Sequence, residues 1–187
     1  MGRVIFLMNM TLDGFIEGPG GDLGWSNPDE ELHRFFNEEQ RQTDVNLYGR
    51  RLYETMDYWR TVDVQSLPDH EAEWAEVFLA TPTVVFSRTL DRVEGNARLA
   101  KGDATDEIRK LKDETSGVLS IGGPTLASSL PPGMIDEYGV VVHPVTIGAG
   151  TPMFPRRDKP LNLKLLDTRR FASGVVVLRY EPALIAT

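Results

Sequence analysis

Three short stretches of the sequence combine residue types that could bind an anion. Tyr48-Gly49-Arg50-Arg51, Phe86-Ser87-Arg88-Thr89 and Ile121-Gly122-Gly123-Pro124-Thr125 each close an apolar, β-rich run with a glycine, a serine or a cation. A strand that stops in this way exposes backbone N–H groups. A helix starting there adds unpaired donors and the positive end of its dipole, and the combination suits phosphate. In an open parallel sheet, ligands bind beyond the carboxyl ends of the strands, so three such ends would suit a dinucleotide. Taken singly, each stretch has an ordinary explanation: glycine at a strand-to-helix turn solves a steric problem, and exposed arginine is common. Their joint order along the chain carries the reading.

A second group could move protons. Asp29-Glu30-Glu31 follows Trp25-Ser26-Asn27-Pro28 and precedes Leu32, Phe35 and Phe36 at helical spacing. Glu31 stands four residues before Phe35, so the spacing predicts that it shares the inward face of a helix, where partial burial would raise its pKa toward acid catalysis. The competing explanation is that acids at a helix start simply complement the dipole. His33, His70 and His143 form no close-spaced metal pair and read as core or surface histidines. Ser120 invites comparison with a nucleophile elbow, but Val118 stands where the first glycine should be. The G-x-G-x-x-G fingerprint is missing as well.

The elements that must position these residues follow a βαβ rhythm. Arg3 to Asn9 reads as a strand opening into a glycine-rich loop from Asp13 to Trp25, with Asn27 as N-cap and Pro28 at the first helical position of the next helix. Strands are predicted at Val45 to Tyr48, Thr83 to Phe86 and Val118 to Ile121. Helices are predicted at Arg50 to Asp57, Asp69 to Leu79 (Trp74, Val77 and Phe78 inward), Thr105 to Lys112 and Pro124 to Leu130. The alternation implies parallel strands covered by helices. The last third changes character: Glu137 to His143, Leu161 to Asp167 and Val175 to Tyr180 are all strand-like, which predicts an antiparallel end to the sheet.

Composition narrows the function classes. A chain of 187 residues fits one domain, of a size that buries roughly 70% of its unfolded surface. The net charge of −8 argues against nucleic acid or an anionic membrane surface as partner, because both require excess Lys and Arg. The chain has no cysteine, which excludes disulfides, thiolate nucleophiles and thiolate metal sites, and fits a reducing compartment. The first apolar run, Val4 to Met8, is too short for a signal peptide, so the expectation is a cytoplasmic protein.

Taken in order, Asn9-Met10-Thr11-Leu12-Asp13-Gly14-Phe15-Ile16, Gly49-Arg50-Arg51, Ser87-Arg88, Ile121-Gly122-Gly123, and Asp136-Glu137-Tyr138 followed by Pro144 to Gly150 resemble the motifs of the dihydrofolate-reductase-like superfamily. The resemblance runs from Val4 to Tyr180 and is closest to the branch of the riboflavin-biosynthesis reductase domain. It implies a single domain over residues 1–187, a three-layer α/β/α sandwich whose mixed central sheet ends in an antiparallel hairpin. It also implies a homodimer, and hydride transfer from NADPH to a pteridine, a ribitylaminopyrimidine-like compound or a carbonyl-type small molecule. By the same resemblance, Met10, Asp13, Gly14 and Ile16 would line the nicotinamide. Gly49, Arg50, Arg51, Gly122 and Gly123, with Thr125, would cradle the pyrophosphate, and Ser87 and Arg88 would hold the 2′-phosphate. Trp25 and Phe35 would contact substrate, Glu31 or Glu30 would handle the proton, and Gly18 to Trp25 would be a lid. One position departs: the family's Gly-Arg-x-Thr has Leu52 in place of the threonine, removing a hydroxyl from the pyrophosphate site. Two other readings compete with a reductase, namely a dinucleotide-binding module without turnover and, further off, a hydrolase centred on Ser120.

Overall fold

The computed structural model of the protein describes residues 1–183. Strands and helices alternate as β1 (Arg3–Thr11), β2 (Phe15–Glu17), α1 (Glu30–Arg41), β3 (Thr43–Gly49), α2 (Arg50–Met56), α3 (Tyr58–Thr61), α4 (Asp69–Ala80), β4 (Thr83–Phe86), β5 (Ala97–Leu99), α5 (Ala104–Glu114), β6 (Val118–Gly122), α6 (Pro124–Ser129), β7 (Glu137–His143), β8 (Thr151–Pro152), β9 (Leu163–Arg170) and β10 (Val176–Pro182). Eight strands form one sheet in the order β5-β4-β3-β6-β1-β7-β10-β9. Its first six members are parallel and the β9–β10 hairpin closes it antiparallel, as the strand-rich last third predicts.

Period-two alternation sends β-strand residues to two cores. On one face Val4 and Phe6 of β1 and Leu119 and Ile121 of β6 meet Ile108 and Leu111 of α5 and Leu126 of α6. On the other, Val141 and Val177 meet Leu32 and Phe35 of α1, while Tyr48 and Val85 meet Phe78 of α4. The result is helices on both faces of a mixed sheet.

Two local expectations are corrected. The N-cap of α1 is Asp29, whose carboxylate accepts from the Leu32 N–H at 2.9 Å, so Asn27 and Pro28 both lie outside the helix. An aspartate three residues ahead of a free N–H out-competes the more distant asparagine. The strand expected at Leu161 to Asp167 runs instead from Leu163 to Arg170. As an edge strand exposed along nearly all its length, it has no buried face to mark its end in the sequence. The short strands β2, β5 and β8 are additions that two or three residues of pattern could not reveal.

Candidate active site

All five central parallel strands deliver their carboxyl ends to one edge, and there the three glycine, serine and arginine segments become neighbours. Gly49 pairs with Phe86 across β3 and β4, and Tyr48 pairs with Gly122 across β3 and β6. Gly49-Arg50, Ser87-Arg88 and Gly122-Gly123 thus line three adjacent strand ends. A Cβ on Gly49 or Gly123 would meet nothing within 4 Å, and Gly123 sits at φ +91°, so the backbone here faces open space. Gly122 is different: a Cβ would collide with the side chain of Leu52. Leu52, where the resemblance would place a hydroxyl, is therefore a packing partner of the glycine turn.

The arginines differ in how free they are. Arg50 is tied down, its Nε donating to Glu54 at 2.7 Å and its Nη1 to the Thr89 hydroxyl at 2.9 Å, which links α2 to the end of β4. Arg51 is 86% exposed and only loosely faces Glu17, at 3.8 Å. Arg88 is exposed and, among the described residues, has neither an ion pair nor a hydrogen bond. The Ser87 hydroxyl accepts the N–H groups of Thr89 (3.2 Å) and Leu90 (3.0 Å), shaping the turn that presents Arg88. Thr125 is exposed in the first turn of α6.

At the end of β1 the buried Thr11 donates to Asp13 at 2.6 Å. The other carboxylate oxygen of Asp13 accepts the N–H groups of Ile147 (3.1 Å) and Gly148 (2.7 Å). These bonds, the Thr11 hydroxyl foremost, hold the Asp13 pKa below its usual range. Asp13 thereby clamps the loop after β1 to the loop after β7. Met10 and Ile16 are half-buried against the main core, and Gly14 turns the chain at φ +92°. Beyond them opens a cleft of about 780 Å³, bounded by Gly18 to Gly21, Leu23, Arg51, Glu54, Thr55 and Thr151. Glu17 at its rim accepts the Thr151 hydroxyl at 2.6 Å.

This edge, with its glycine turns and free cations, can be set beside known proteins. The family model described as the RibD C-terminal domain matches residues 3–177. The chain belongs to that family. It is 33% identical over 182 residues to the uncharacterized protein YyaP of Bacillus subtilis, covering 96% of this chain and 94% of that one. Among solved structures, a putative riboflavin biosynthesis protein from Shewanella sp. PV-4 superposes with a TM-score of 0.73 at 20% identity, over 98% of this chain and all 100% of that one. RibD of Acinetobacter baumannii gives 0.69 at 16% identity, this chain matching 58% of its length. A Thermotoga maritima diaminohydroxyphosphoribosylaminopyrimidine deaminase/5-amino-6-(5-phosphoribosylamino)uracil reductase gives 0.68 at 16% identity, over 97% of this chain and 57% of that one. The fold is the dihydrofolate-reductase-like one that the motifs suggested.

Within this RibD-type fold, several expected site residues stand elsewhere. Phe35 is 4% exposed and packs on Phe171 and Val141, so it belongs to the core. Glu31 does not turn inward: it is exposed, and its carboxylate accepts the Ala172 N–H at 3.1 Å. Glu30 is 62% exposed and bound to Arg34 at 2.8 Å, which holds its pKa below the usual range. The inward stripe of α1 is supplied by Leu32, Phe35 and the buried His33, leaving both glutamates outside. Asp136 and Glu137 lie at the opposite edge of the sheet, at the start of β7. Ser120 sits within β6 between Ile5 and Asn46, not at a strand-to-helix elbow.

The structure gives a place in the site to His143, which the sequence read only as a core or surface histidine, and joins it to Asn9 and to the Trp25 expected at the substrate. His143, the last residue of β7, is 5% exposed; its Nε2 meets Asn9 Oδ1 at 2.9 Å, and burial lowers its pKa. The Trp25 ring stands edge-on to it at 5.2 Å, and the buried Trp25 Nε1 has no partner among the described residues. Asn9 and His143 are 134 positions apart, and only the parallel pairing of β1 with β7 joins them.

Proposed function

We propose that this chain is an NADPH-dependent reductase of a small heterocyclic or carbonyl-type substrate. The observation that carries the reading is the adjacency of Gly49, Phe86 and Gly122 at the ends of neighbouring parallel strands, in a chain of the RibD reductase-domain family. When bound, NADPH supplies the hydride. The residues present fit it: the open backbone at Gly49 and Gly123 and the exposed Arg51 can receive a pyrophosphate, and Arg88, unpaired among the described residues, can receive a 2′-phosphate through charge-assisted hydrogen bonds. Thr125 stands beside the same cradle, and Met10, Gly14 and Ile16 border the ground left for the nicotinamide, with Asp13 fixing the loop that carries them. Gly18 to Gly24 would close over the ring as a lid.

The assembly is a homodimer in this reading, supported by the edge strand β9, whose Leu165 and Leu166 are 50% and 45% exposed. The alternative of a binding module without turnover is favoured by one observation, the outward placement of Glu30 and Glu31. Cofactor titration and a substrate screen separate the two. NADPH fluorescence should saturate on adding the protein, and NADPH oxidation should follow with at least one member of a panel containing 5-amino-6-(5-phosphoribosylamino)uracil, its dephosphorylated form, a dihydropteridine and aromatic aldehydes. Binding without oxidation across the panel supports the module. No binding removes both readings.

A further inference from the structure

Hydride addition to a C=O or C=N carbon pushes the π electrons onto oxygen or nitrogen, and that atom must then gain a proton. The expected donors, Glu30 and Glu31, face solvent, bound to Arg34 and to the Ala172 N–H respectively. One titratable side chain is instead buried at the carboxyl ends of β1 and β7: that of His143, whose register partner Thr11 directly follows the Met10 that the proposed function assigns to the nicotinamide ground. We propose that His143 is the proton donor of this site, oriented by Asn9 and covered by Trp25, and that the glutamates of α1 take no part.

Three features of the geometry support this. Asn9 Oδ1, 2.9 Å from Nε2, fixes the ring and places a hydrogen on Nε2, so Nδ1 is the nitrogen that gains and loses the proton. Thr11, the register partner of His143, spends its hydroxyl on Asp13 and the Phe15 N–H and so does not compete for the ring. The indole N–H of Trp25, buried without a partner among the described residues on a ring edge-on to the imidazole at 5.2 Å, is a donor waiting for an acceptor, as a substrate carbonyl or ring nitrogen would be.

In the step itself, the Nδ1–H bond of the imidazolium breaks as the new O–H or N–H bond forms. The electron pair displaced by the hydride makes that bond, and solvent reprotonates the neutral imidazole. The groups around the ring leave its titration simple. β1 presents Asn9 and Thr11, and the segment before α1 presents Trp25, none of which is charged. In the first turn of α1, Asp29 caps Leu32 and the two glutamates hold the partners already described. Burial alone therefore lowers the His143 pKa, and the acid form grows as pH falls.

The proposal rests on the reductase reading, and the experiment separates the two. Proton NMR of the histidine Cε1–H signals, with His143 assigned by His143→Gln, is followed against pH with and without NADPH, while NADPH fluorescence reports binding independently. His143 should titrate below the ordinary histidine range, and NADPH should move both its shift and its midpoint. Asn9→Leu should change that midpoint while NADPH still binds. With any oxidised member of the substrate panel, His143→Gln should lower kcat by about 10²-fold and abolish the fall in kcat as pH rises through the histidine midpoint. NADPH that binds while the His143 signal stays still overturns this proposal and leaves the reductase reading intact. A His143→Gln enzyme with undiminished kcat, or a 10²-fold loss in Glu31→Gln instead, overturns it as well. Failure of NADPH to bind removes the reductase reading and this proposal with it.

Discussion

The two edges of the central sheet treat charge in opposite ways. At the amino edge, Glu137 is buried between Arg3 (2.8 Å) and Arg179, and Arg179 also reaches Glu39. Nearby, Asp136 accepts the Val4 N–H at 2.7 Å and the buried Lys112 at 2.5 Å. Every one of these charges has its complement within the chain. At the carboxyl edge Arg51 is barely engaged, Arg88 is free among the described residues, and the glycine turns face open space. A buried charge must be paired to be tolerated, so the first edge is read as scaffold. Exposed charges left without partners cost little, and they remain available to a ligand. Asp136-Glu137 and Gly49-Arg50-Arg51 look equally like motifs in the sequence, yet the first ties the sheet together and the second sends Arg51 to the cleft.

The sharpest way to break this contrast is at Glu137. Glu137→Ala should cost about 1–3 kcal/mol of stability, below the full penalty for stripping a buried pair, because Arg3 reaches solvent and Arg179 keeps Glu39 while losing its second carboxylate. Urea unfolding followed by circular dichroism measures it. A loss below about 0.5 kcal/mol, the level of an ordinary surface substitution, would mean that the amino edge is no more scaffold than the carboxyl one.

The carboxyl edge should answer in affinity. If Arg88 reads the 2′-phosphate, NADPH should bind at least about ten-fold more tightly than NADH, since hydrogen bonds to charged groups contribute roughly 1.5–3 kcal/mol each. Arg88→Ala should erase most of that preference, leave NADH affinity unchanged and shift stability by no more than about 0.5 kcal/mol. Paired fluorescence titrations at two salt concentrations test this, the contact being exposed and therefore screened. Parallel losses for both cofactors would take Arg88 out of the site.

The smallest expected effect concerns the clamp between the two loops. Because hydrogen bonds depress the Asp13 pKa in the folded chain, the tether is fully present above the ordinary aspartate value of 3.8 and is lost as pH falls through the lower, folded one. Amide protection at Ile147 and Gly148, taken as exchange relative to the intrinsic rate at each pH, should therefore be high at neutral pH and fall as Asp13 protonates, and Asp13→Asn should lower it at neutral pH. Protection insensitive to both changes would show that the loops are held by other contacts.

Most of the scaffold was legible from local pattern. The predicted strands at Thr83 to Phe86 and Glu137 to His143 coincide with β4 and β7, because apolar runs bounded by turn residues have few other places to go. The hydrogen-bonding residues of α1 were harder. Helical spacing put Glu31 with Phe35, but the core took Leu32, Phe35 and His33, which rotates Glu31 toward Ala172. A residue four positions from a buried one can still lie at the margin of the stripe, and the sheet packed beneath decides which margin is covered.

What the sequence determined by itself was the alternation of elements, the parallel sheet with its antiparallel end, and the three strand ends suited to an anion, since each is set by periodicity and by a few neighbouring residues. Only the tertiary structure decided that Gly49, Phe86 and Gly122 are neighbours, that Leu52 fills the space beside Gly122, and that Asn9, Trp25 and His143 share a buried polar corner. The physical reason is that parallel pairing joins residues far apart in the chain through backbone hydrogen bonds, which carry no side-chain signature. The chemistry of the site is set by which side chains that pairing brings within a few ångströms of one another.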